Sequence, residues 1–92
     1  MSDIEALLKE LRGLPDAPAV SSQEVHARLT AVKSAAGRWA DVLYGIQESA
    51  RGFVGPRAEA ALEVAFRRAE ESYVELEIAL RDLNDTGPCQ RR

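Results

Sequence analysis

Apolar residues recur at helical spacing almost from the start of the chain. Ile4, Leu7, Leu8 and Leu11 share one face of a short amphipathic helix over residues 3–12, which Gly13 stops. Two prolines, Pro15 and Pro18, then deny the backbone a helical ladder, so residues 13–20 read as a linker. The next apolar positions are Val25, Leu29, Val32, Ala36, Trp39, Leu43, Ile46, Ala50 and Phe53. Their spacing alternates four and three without a break, a heptad seam that predicts a long helix over residues 21–51 packed as in a coiled coil. Ser21 and Glu24 mark its start as a capping box, each side chain satisfying the other's free amide. Gly37 and Gly45 lie inside this helix, where each costs roughly 1 kcal/mol against alanine.

Residues 52–55 form a turn: Gly52 and Gly55 permit positive φ, and Pro56 suits the first position of a new helix. A second long helix is predicted over residues 56–84. Its seam is Ala58, Leu62, Ala65, Ala69, Tyr73, Leu76, Leu80 and Leu83, flanked by Ala61 and Phe66. Residues 85–92, with Gly87 and Pro88, form a tail. Folding back at Val54 pairs residues whose numbers sum to about 108, so Trp39 is expected over Ala69 and Ala65, Ile46 over Leu62, and Val32 over Leu76. The fold class is therefore all-α: one domain, an antiparallel helical hairpin plus a short N-terminal helix. Val42, Val64, Val74 and Ile78 are left outside the seam, and with Leu7, Leu8 and Leu11 they leave two outcomes: completion of a bundle by dimerisation, which is the expectation, or the short helix folding onto its own hairpin as a three-helix monomer.

Composition narrows the function. Ninety-two residues make one domain with a modest core. Alanine supplies much of the apolar content and the aromatics are one Trp, two Tyr and two Phe, so large anchors are scarce. A net charge of −3 has the wrong sign for a dedicated nucleic-acid binder, and the basic residues are scattered among acids. No apolar run approaches the roughly 20 residues of a membrane span. The opening Met-Ser-Asp-Ile-Glu lacks a signal-peptide pattern. A cytoplasmic protein is expected, with any export proceeding without a cleaved signal peptide.

No residue pattern points to an enzyme. His26 is the only histidine, and neither a zinc site nor a di-iron Glu-x-x-His set surrounds it. Cys89 sits beside Arg91 and Arg92, which favour a thiolate, but without a base or pocket it reads as an ordinary thiol. The acids of the last helix, among them Glu59, Glu70, Glu71 and Glu75, read as a solvated face. Glu63 with Arg67 and Glu77 with Arg81 are spaced for ion pairs along it. The chain matches small helical chorismate mutases in size alone, since Arg28, Lys33 and Arg38 do not reproduce their motif. No cofactor, metal or small-molecule substrate is expected.

Two short units carry a family resemblance. Phe53-Val54-Gly55 is an aromatic-x-Gly unit between two long antiparallel helices, and Tyr73-Val74-Glu75-Leu76-Glu77 fits Tyr-x-x-x-Asp/Glu. In these respects residues 22–84 resemble the WXG family of small type VII (ESX-type) secretion proteins. The resemblance implies a helical hairpin that pairs into a four-helix bundle. It also implies a turn marked by the Phe53/Gly55 unit and an export signal at Tyr73 and Glu77. The chain departs from the family in having Phe53 for Trp at the turn and in carrying the tyrosine motif mid-helix. Tyr44 with Glu48 fits the same motif. The expected function is a non-enzymatic helical interaction protein that pairs as a homo- or heterodimer, resembling a type VII substrate or partner. The alternative is a cytoplasmic adaptor, such as an antitoxin, immunity or phage-derived protein, that masks a protein partner.

Overall fold

The computed structural model describes residues 2–86, which form three helices: α1 (Asp3–Arg12), α2 (Ser22–Ala50) and α3 (Pro56–Thr86). Each start has a local cause. Ser2 Oγ accepts from the Glu5 amide at 3.1 Å while Glu5 Oε1 accepts from the Ser2 amide at 3.2 Å, a complete capping box on α1. On α2 the box is shifted by one residue. Ser21 Oγ accepts from the Glu24 amide at 3.1 Å, but the Glu24 carboxylate reaches past Ser21 to the Val20 amide at 2.9 Å. Arg28 donates to the Ala17 carbonyl and ties the linker back onto α2.

At the hairpin turn only Gly52 adopts positive φ, at 88°. The Phe53 amide donates to the Ala50 carbonyl at 2.8 Å, and the Gly55 carbonyl accepts from the Glu59 amide at 3.0 Å, starting α3 with Pro56 at its first position. The last helix runs two residues beyond the expected 84. Pro88 restricts only the residue before it, which leaves 85 and 86 free to continue. Cys89 and the rest of the tail lie outside the described residues.

The hairpin register is read from two contacts. The Tyr44 and Phe66 rings lie 5.4 Å apart and tilted, and the Tyr73 ring lies over Gly37, so paired numbers sum to 110. Gly37 has a specific reason to be glycine. A Cβ there would sit 3.2 Å from two carbons of the Tyr73 ring, tighter than ordinary packing. Close approach over Gly37 and the buried Ala40 and Ala69 brings α2 and α3 together.

α1 docks on the other side of α2 and touches α3 nowhere among the described residues. It runs antiparallel to α2, with Leu7 clustered on Ala35 and Val42, and Glu10 reaching Ser34 and Arg38. Val42, left without a partner by the sequence pattern, is thus buried under α1. The result is a single layer of three helices with α2 in the middle, measuring 53 × 28 × 19 Å. The buried side chains are Leu7, Ala35, Ala40, Val42, Ala69 and Leu80, and no large side chain among the described residues is fully buried.

The expected seam is corrected in part. Ala69 is buried and Val32, Leu62 and Leu76 are half-buried, but Trp39 is 47% exposed, Ile46 46% and Phe53 87%. The reason lies in α2 itself. Its contacts to α3 (Gly37, Tyr44) and to α1 (Ala35, Val42) sit on opposite sides of the helix, at about 100° per residue. The row through Trp39 and Ile46 lies between them, on a side that neither neighbour covers.

Candidate functional site

A one-layer molecule has two broad faces, and here they differ in chemistry. One carries an open groove of about 790 Å³ between α2 and α3, lined by Ser34, Arg38 and Asp41 on α2 and by Arg67, Glu70, Glu71, Tyr73 and Glu75 on α3. At its edge Ser34 Oγ donates to Glu10 Oε2 at 2.5 Å, and Arg38 Nε lies 3.0 Å from Glu10 Oε1, an ion pair whose N–H is angled away from the oxygen. The Ser34 hydroxyl holds the Glu10 carboxyl below its ordinary value; desolvation opposes it, and Arg38 adds to the lowering. Lys33 Nζ lies 5.5 Å from the centre of the Tyr73 ring. This face is mixed in charge, and its lining also includes Gly37, Ala40 and the exposed Val74.

The opposite face is apolar. On α2 it carries Val25, Val32, Trp39 and Ile46, each seven residues from the next, and all but Val32 are exposed large hydrophobics. On α1, Leu7 points to α2 and Glu10 toward the groove side, so the exposed Ile4, Leu8 and Leu11 fall on the Trp39 side. On α3 the Tyr73 ring lines the groove, and alanine-rich positions lie beside the Trp39 row. Exposed large hydrophobics of α1 and α2 thus share this face, whereas those of α3, Val64, Val74 and Ile78, lie off it; such a cluster is unusual on a chain that stays alone in water.

The residues singled out by motif do not converge. Phe53 and Gly55 lie at the hairpin tip, while Tyr73 and Glu77 lie in mid-α3, about 27 Å away along the helix. Tyr73 packs on Gly37, and Glu77 pairs with Arg81 at 3.3 Å, as Glu63 does with Arg67 at 2.7 Å. Tyr44, of the second matching motif, packs tilted against Phe66. His26 is exposed, and its carbonyl accepts from Thr30 Oγ1 at 2.9 Å. Among the described residues no group of three or more His, Cys, Asp or Glu is placed to hold a metal ion, and no helix is long and apolar enough to cross a membrane.

The surface that stands out is one that sequence reasoning placed inside the hairpin. The signal was present, since Val25, Val32, Trp39, Ile46 and Phe53 repeat every seven residues. What the pattern alone did not show was that α1 would occupy the far side of α2 and leave that row open. Comparison with protein families, curated proteins and solved structures found no match.

Proposed function

We propose that the chain is a non-enzymatic helical interaction protein that covers its Trp39 face with a protein partner, in the manner of a type VII secretion substrate or its partner. The observation that carries this reading is the apolar face itself: Trp39 and Ile46 half exposed on α2, with Ile4, Leu8 and Leu11 exposed on α1. Half of the buried residues among those described are alanine, so covering the exposed large side chains of that face would add apolar burial that the chain's own core lacks.

The secretion part of the reading is tested in a host with a working type VII system. The unmutated chain is expected in the culture medium. Tyr73→Phe removes one hydroxyl, and Glu77→Gln removes one exposed ion pair, so each is expected to change stability by only about 0.5 kcal/mol. Folded variants that stay in the cell would support a role of Tyr73 and Glu77 in export. An unmutated chain found only in the cells would contradict secretion.

The adaptor reading draws on a separate observation, the carboxylates of Asp41, Glu70, Glu71 and Glu75 along the groove. It predicts no export, and loss of partner binding when those residues are neutralised.

A further inference from the structure

The Trp39 row has a counterpart on α3 with the same period. Ala58, Ala65, Ser72 and Ala79 are spaced by seven, are small at every position, and lie on the flank of α3 away from Glu70, with Ala65 half-buried and the others exposed. The two rows share one face of the hairpin. The register set by Tyr44/Phe66 and Gly37/Tyr73 places Val32, Trp39 and Ile46 within one residue of level with Ala79, Ser72 and Ala65. A row of large side chains therefore runs beside a row of small ones, in step, along the length of the hairpin.

We propose that the Trp39 face is the interface with a second copy of this chain, related by a twofold axis running lengthwise between the two rows. This rests on the reading that the face is a protein–protein surface, and it names the partner. A lengthwise twofold keeps every residue at its level and exchanges α2 with α3. Val32 of one copy then lies over Ala79 of the other, Trp39 over Ser72, and Ile46 over Ala65, and each contact occurs twice. The large side chain fills the space left by the small one, as close packing requires. A twofold across the helices would set the large row on the large row and the small on the small. The four long helices become a bundle with both turns at one end, and α1 flanks the partner's α3. The two-helix face is about 43 Å by about 20 Å, near the roughly 800 Å² per partner that a stable interface buries.

The register is read by disulfide trapping on the full chain carrying Cys89→Ser. Ile46→Cys and Ala65→Cys are made separately, mixed and oxidised. The expected product is a 46–65 cross-link between chains, with little 46–46 or 65–65. Efficient 46–46 linkage would overturn the lengthwise axis. Ser72→Glu, which places a charge under the partner's Trp39, is expected to weaken self-association by about tenfold or more. Unchanged association would overturn the interface, and circular dichroism separates lost association from lost helix. A monomeric chain that binds a different protein through Trp39 would overturn the second copy as partner while leaving the interaction reading intact. Self-association through the groove face would overturn both.

Discussion

Gly37 and Gly45 look alike in the sequence, two helix-weakening glycines eight residues apart in α2, yet their surroundings differ. Nothing lies within 4 Å of a Cβ built on Gly45, whereas one on Gly37 meets the Tyr73 ring at 3.2 Å. Gly45→Ala is therefore expected to stabilise the chain by about 0.5–1 kcal/mol, the usual gain from replacing a mid-helix glycine. Gly37→Ala should gain less or lose, because the ring must move to admit the methyl group. Thermal melts of the two variants check this, and equal gains would mean that Tyr73 does not rest on Gly37. The distinction was not legible in the sequence, since only the register reveals which glycine faces an aromatic ring. Trp39 shows the converse. Its heptad spacing was plain, but spacing fixes which residues share a row and not which neighbour covers it.

At the scale of elements, the helices and the hairpin follow from local chemistry that the chain displays openly: Ser21 before α2, Gly52 and Pro56 at the turn, and apolar residues at helical period. The Ser2/Glu5 box on α1 has the same Ser-x-x-Glu form and was equally readable. The placement of α1 was harder to read, because ten residues with one buried leucine fit against several surfaces. Its docking on α2 has an electrostatic clamp, Glu10 held by Ser34 and Arg38. Docking lowers the carboxyl's pKa, so its contribution is full above the ordinary glutamate range. That contribution is lost as pH falls through this range to the lower docked value. Acidification is therefore expected to loosen α1 before the hairpin, seen as faster amide exchange over residues 3–12 than over α2. Glu10→Gln should remove that pH dependence. An α1 equally protected on both sides of the carboxylate range would show that Leu7 alone holds it.

At the scale of the whole molecule, the chain is a thin slab with unlike faces. One is a groove lined by charges of both signs with Val74 among them, the other an apolar surface of large side chains beside small ones. Helical content and hairpin topology were legible because they depend on local pattern. The exposed face was not, because it emerges only when α1 and α3 are seen to take opposite sides of α2. Among the described residues of this 92-residue chain the buried core is small and half alanine. Association would supply what the single layer lacks. The most direct test is sedimentation equilibrium of the unmutated chain under reducing conditions, so that Cys89 links nothing, from low to high micromolar concentration. A mass of twice 10.1 kDa at the upper end, falling toward 10.1 kDa on dilution or holding throughout if binding is tight, is expected. A mass of 10.1 kDa at every concentration would contradict it.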